Sequence, residues 1–216
     1  MFTRIAYVPF AKGQIDGTLP KLHASIEADI IDKMHRFKPL SAKFRKDGIG
    51  KVYYTRKLGS FVQILNFIPE IRDVNGTLRE PSELKAIEFG TLIENNVALI
   101  GLNSNLFNWF LKVYSDCRNL NKREVESFPL PFASLMSDKK VAMLADRLME
   151  DLRATSEMRD MGGLRIQCII PRKCKPIIDE IDELLAKHYG FTEEELDFII
   201  NYDIKYRMGD KLNDAE

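Results

Sequence analysis

The chain has 216 residues, 45% hydrophobic and 30% charged, and its 32 basic and 32 acidic side chains cancel to a formal net charge of zero. That composition suits a globular protein of one large domain or two small ones, and no apolar run is long enough to span a bilayer. Three cysteines (Cys117, Cys168 and Cys174), odd in number and never spaced C-x-x-C, argue against a disulfide framework or a zinc site. The same cysteine pattern makes a reducing cytoplasm the expected setting, and the first residues, MFTRIAYVPF, lack the basic–apolar–small pattern of a secretory signal.

Ile5, Tyr7 and Val8 predict a strand, followed by a loop marked by Gly13 and Pro20. Leu22, Ile26, Ile30 and Met34 recur every four residues, which predicts an amphipathic helix over 23–37. His23 and His35 near its ends have no third ligand that a metal would need. Pro39 stops the helix, and 41–50 reads as a basic loop. From Arg36 to Lys57 there are eight bases against one acid, Asp47. Lys51–Lys57 and Ser60–Ile68 are rich in β-formers and predict a hairpin turning at Leu58-Gly59. Tyr53 and Tyr54 must then face opposite sides, with Arg56 on the side of Tyr54. Such a ribbon, with an exposed Tyr54, suits a DNA groove; it would equally serve as an edge strand whose charges discourage aggregation.

Asp73, Asn75 and Gly76 mark a turn, and Pro81-Ser82-Glu83 opens a short helix or leads to a strand at 86–89. The most informative stretch is 99–132. Asn103-Ser104 can cap a helix, and Leu106, Phe107, Phe110, Leu111 and Tyr114 give it one buried face, with Trp109 expected in the core. Arg118, Asn119, Asn121, Lys122 and Arg123 follow as a cationic, amide-rich corner, and Phe128-Pro129-Leu130-Pro131 ends regular structure. Ser137 or Asp138 caps a second long helix expected to reach Met158, before Gly162-Gly163. Leu164–Ile170 alternates like a strand. Pro176 begins a helix, and Thr192 with Glu195 forms a capping box for the last one. From Pro176 onward twelve acids face four bases; these are read as outward-facing and kept off any polyanion. The tail from Gly209 is polar.

The order LNS, aromatic helix, R-N-L-N-K and FPLP, followed by IIDEIDELLAKHYGFTEEELDFIINYDIKYR, resembles the C-terminal target-recognition region of TaqI-like N6-adenine DNA methyltransferases. The likeness is to type IIG restriction–modification enzymes and their phage-defence relatives, and it covers about 51–208. The resemblance implies sequence-specific recognition of double-stranded DNA, with S-adenosylmethionine held by a separate catalytic domain or subunit. This chain has no glycine-rich cofactor turn after a strand and no N/D-P-P-Y/F loop, so it carries no catalytic residues of that reaction.

The expected fold is therefore α+β: a mixed or antiparallel sheet flanked by helices, then a helical C-terminal section. Residues 1–136 would form the recognition domain and 137–216 the helical section with one short strand. Phosphate contacts are expected from Lys43, Arg45, Lys46 and Lys51. Base readout is expected from Arg56, Lys57, Arg118, Asn119 and Asn121, helped by Lys122, with Tyr54 stacking or touching sugar. Two other readings remain open: a protein-interaction domain, and a metal-dependent nuclease built on Asp73 with Glu83 and Lys85. A hydrolase triad has no support in the sequence, because no histidine neighbours a nucleophile.

Overall fold

The computed structural model describes residue 15 and residues 17–208; the expected strand at Ile5–Val8 and the tail from Gly209 lie outside the described residues. In chain order, helix α1 (Ser25–Met34) is followed by a 3-10 turn, Leu40–Lys43. Strands β1 (Gly50–Tyr54), β2 (Ile64–Leu65), β3 (Ile71–Arg72) and β4 (Lys85–Phe89) come next. Helices α2 (Leu92–Asn103), α3 (Asn105–Tyr114), α4 (Lys122–Ser127), α5 (Phe132–Leu135) and α6 (Lys140–Ala154) follow. A hairpin of β5 (Glu157–Met161) and β6 (Leu164–Cys168) precedes α7 (Lys175–Tyr189), α8 (Glu193–Asn201) and α9 (Ile204–Met208). The fold is α+β with a helical C-terminal part, and both sheets are small and antiparallel: β2-β1-β4 and β3-β6-β5. No helix among the described residues is long and apolar enough to cross a membrane.

Helix α2 is the axis of the core. It is buried almost all round, as a helix apolar on every side must be, and it packs against β1, β2, β4, α3, α6 and α7. Thr91 caps its start by accepting from the Glu94 N–H at 3.2 Å. β1 lies so close that a Cβ on Gly50 would stand 2.6 Å from the Asn95 Cβ, which is why glycine opens the strand. At the far end Asn103 acts as a surrogate strand. Its Oδ1 accepts from the Ile64 N–H at 3.1 Å, and its Nδ2 donates to the Ile64 carbonyl at 2.8 Å.

The sharp bend into α3 is capped twice. Ser104 Oγ accepts from the Phe107 N–H at 3.0 Å. Asp182 of α7 accepts from the Asn105 N–H at 3.0 Å, the Asn105 side-chain amide at 2.7 Å and the Leu106 N–H at 3.1 Å. Trp109 is fully buried, as expected, and its indole N–H donates to Glu27 at 3.0 Å. Residues on both sides of position 136, from Ile31 and Phe89 to Leu148 and Ile181, belong to one hydrophobic cluster.

Five sequence expectations need correction. β1 is a central strand, not an edge, because β4 pairs along its whole length. Its hairpin with β2 resumes only at the Tyr54–Ile64 pair, so the link is not a tight Leu58-Gly59 turn. The backbone at 56–57 is drawn away to residues 119–120, and Asn103 holds the Ile64 end. The long helix ends at Ala154 rather than Met158, and the C-terminal section supplies two strands rather than one. Gly162 and Gly163, at φ 60° and 79°, form a turn that folds β5 back on β6. Finally, the C-terminal acids do not all face outward. Asp182 and Glu195 are buried, the latter receiving Lys33 Nζ at 2.5 Å and 2.8 Å.

Candidate nucleic-acid interface

Backbone pairing gathers the basic segments around the short helix α4. At its N-terminal end the Leu120 N–H donates to the Arg56 carbonyl at 2.9 Å, and Lys57 forms an antiparallel bridge with Asn119. At its C-terminal end the Leu40 N–H donates to the Phe128 carbonyl at 2.8 Å. There the Leu130 N–H donates to the Lys38 carbonyl at 3.2 Å, and Pro39 bridges Pro129. Six helical residues span about 9 Å, so the two ends of the basic run are held a short helix apart.

The corner leading into α4 is stiff. Cys117 sits at φ 58°, its N–H donating to Ser115 Oγ at 3.0 Å, and the Arg118 N–H donates to Asp116 at 3.0 Å. Asn121 is the N-cap residue of α4, and its N–H donates to the fully buried Glu124 carboxylate at 3.1 Å. Arg123 donates to the same carboxylate at 3.0 Å.

The predicted contact residues fall into three groups. Arg56, Lys57 and Arg118 are exposed, adjacent and have no acidic partner within ion-pair distance among the described residues. Asn119 is half-buried beside them, with its backbone engaged in the bridge. Arg45 and Lys46 are exposed at the opposite end of β1, where the Arg45 N–H donates to the Glu88 carbonyl at 2.9 Å. Lys51 shares that end and is paired with Glu88 at 2.6 Å. The ammonium holds the Glu88 carboxyl below its ordinary range, and the carboxylate raises Lys51 in return. Five residues of extended chain from Lys51 to Arg56 cover about 17 Å, the rise of about five base pairs of duplex.

Lys43 and Lys122 already have partners: Lys43 Nζ is 2.9 Å from Glu94 and Lys122 Nζ is 3.0 Å from Glu126. Burial opposes ionisation of Glu94, but Lys43 outweighs it and the carboxyl lies below its ordinary range.

Tyr54 is a correction. It is buried under the sheet beside Val52 and Ile64, and burial raises its phenol above the ordinary value, so it offers no surface for stacking. The expected alternation of β1 holds, but its faces are exchanged: Gly50, Val52 and Tyr54 point in, and Lys51 and Tyr53 point out. Asn121 is half-buried and capped through its backbone N–H, and its side chain makes no capping hydrogen bond. Arg36 and Lys38, part of the basic run but not among the expected contacts, are exposed at the C-terminal end of α4, beside the FPLP segment.

Both oxygens of Asp73 are used inside its own turn, by the Asn75 and Thr77 N–H groups at 2.9 and 3.0 Å and by Arg79 at 2.7 Å. The turn amide of Thr77 and the Arg79 guanidinium hold that carboxyl low. Among the described residues no group of three or more His, Cys, Asp or Glu side chains is placed to hold a metal ion. The fold does bring a serine, a histidine and an aspartate together. His188 Nδ1 lies 2.9 Å from Ser134 Oγ and its Nε2 lies 3.2 Å from Asp138. Ser134 Oγ also lies 3.1 Å from the Pro131 carbonyl, and Asp138 accepts the Lys140 N–H at 2.9 Å, so the trio ties α7 to the α5–α6 elbow. Compared with known proteins, the chain matches no family model, no curated protein and no solved structure.

Proposed function

We propose that this chain reads a short DNA sequence for an adenine-specific DNA methyltransferase of a restriction–modification system, whose catalytic domain or subunit binds S-adenosylmethionine. The observation that carries the reading is the junction of Arg56-Lys57 with Arg118-Asn119. Two cationic segments about sixty residues apart in sequence are hydrogen-bonded into one exposed edge. Arginine pairs with the guanine edge and asparagine with the adenine edge, so Arg56, Arg118 and Asn119 are the readers. Arg45 and Lys46, one strand length away, hold phosphate. The acidic surface of the C-terminal helices stays off the polyanion. The cytoplasm is the setting this activity requires.

The test is a selection of bound sequences from a random duplex pool. Arg118→Ala with Asn119→Ala should broaden the selected set while leaving the unfolding midpoint near that of the parent chain. An unchanged selected sequence would remove these residues from readout.

A second reading, a docking site for a polypeptide, has its own observation. The β5–β6 hairpin exposes Met158, Met161 and Leu164, while its Arg159 and Glu157 neutralise each other at 3.0 Å. Salt separates the two readings, because binding to phosphate weakens steeply as ionic strength rises and an apolar interface does not.

A further inference from the structure

An open groove of about 580 Å³ lies between the 36–43 segment and residues 130–134. Leu130, Pro131 and Phe132 are buried beneath it, and its accessible apolar surface comes from the exposed Pro39, Ala42 and Ala133 with half-buried Phe37. Its rim is cationic. Lys43 Nζ sits 5.5 Å above the Phe132 ring and is shared with Glu94, whereas Arg36 and Lys38 are exposed with no acid in ion-pair distance among the described residues. Ser134, fixed by His188 at 2.9 Å, closes one end with a hydroxyl.

A purely apolar ligand would leave the rim cations without a partner, and a bare anion would leave the apolar surface uncovered. The ligand that satisfies both is a flat, weakly polar ring joined to a phosphate, and the volume falls in the range of about 300–1,000 Å³ usual for small-molecule sites. A base inside a duplex has its faces stacked and its edges paired, so only an unpaired one can enter. We infer that the groove binds one unpaired nucleotide, its base on Phe37, Pro39 and Ala42 and its phosphate on Arg36 and Lys38. The rim pairs by backbone with residues 128–130 at the C-terminal end of α4, about 9 Å from the corner at its other end, which makes a nucleotide of a bound strand the source; that clause rests on the DNA reading above.

The probes are deoxyadenosine monophosphate, deoxyadenosine, and two duplexes that differ only by one unpaired nucleotide. All are titrated into the full chain and followed by amide shift mapping and fluorescence anisotropy. The monophosphate should shift amides around the groove and bind about tenfold more tightly than the nucleoside. Ala133→Trp, a change at an exposed lining position, should fill the groove, and Arg36→Glu with Lys38→Glu should reverse the rim; each should abolish the monophosphate signal. The unpaired-nucleotide duplex should be preferred by about tenfold, and Ala133→Trp should remove that preference while leaving the fully paired duplex bound as before. Equal binding of nucleoside and monophosphate, or a signal that survives both variants, overturns the assignment. Monophosphate binding without any duplex binding supports the nucleotide site but overturns the DNA reading and, with it, a strand as the source. Duplex binding with no preference for the unpaired nucleotide overturns the inference and leaves the DNA reading standing.

Discussion

Asp182 provides a stability test with a defined sign. It lies wholly inside the protein, where burial pushes its carboxyl from an ordinary 3.8 up to about 7 despite three N–H donors from Asn105 and Leu106 and the charge of Arg207. Asp179 nearby pushes in the same direction. The folded chain therefore keeps this proton up to about pH 7, whereas the unfolded chain releases it near 3.8. Between those values the folded state binds the extra proton, so the contribution is full below 3.8 and is lost as pH rises towards 7. At about 1.4 kcal/mol per pH unit, the whole span is worth about 4 kcal/mol, and the part between pH 5 and 7 about 2–3 kcal/mol. Carboxyls held low, such as Asp73, Asp138 and Glu180, act in the opposite sense, losing their contribution only as pH falls through the acid range below their ordinary values. Urea unfolding followed by the single tryptophan, Trp109, should show stability falling from pH 5 to 7. Asp182→Asn, an isostere of the protonated carboxyl, should flatten that slope. A slope unchanged in the variant would refute the assignment to Asp182.

Other expectations follow from single side chains. Asn103→Ala strips the Ile64 N–H and carbonyl of their partner and should cost about 2–6 kcal/mol by denaturant unfolding, at roughly 1–3 kcal/mol for each buried group left unpaired. Gly48→Ala would place a Cβ 2.3 Å from the Phe89 carbonyl oxygen; backbone must move, and a destabilisation of more than about 1 kcal/mol in the same assay is expected. Tyr54→Phe should leave DNA affinity unchanged, whereas Tyr54→Ala should lower the unfolding midpoint by opening a cavity worth about 3–5 kcal/mol. Lys43, Arg45 and Lys46 changed together to alanine should weaken binding to all duplexes and reduce the salt slope by about 0.9 for each phosphate no longer neutralised. Because Lys43 is already paired with Glu94, Arg45 and Lys46 should carry most of that change, which the corresponding double variant would show.

The sequence determined what depends on neighbours along the chain. The spacing of Leu106, Phe110 and Tyr114 and the Ser104 cap specify α3, and Thr192 with Glu195 specifies the start of α8, because helical period and capping are local. Gly162-Gly163 is legible as a break, but not as the turn of a β5–β6 hairpin; a strand forms only if a partner is present to accept its backbone, and that partner lies beyond the glycines. Alternation in β1 requires that Tyr53 and Tyr54 diverge, yet which of them faces the core is settled by α2 packing under Gly50. The basic run and the amide-rich corner are both visible as residues, whereas their junction through Arg56 and Leu120 is a hydrogen bond between distant segments. Burial of Asp182 is hidden for the same reason: on α7 it reads as one acid among several, and only the N–H groups at the start of α3 make its interior position tenable.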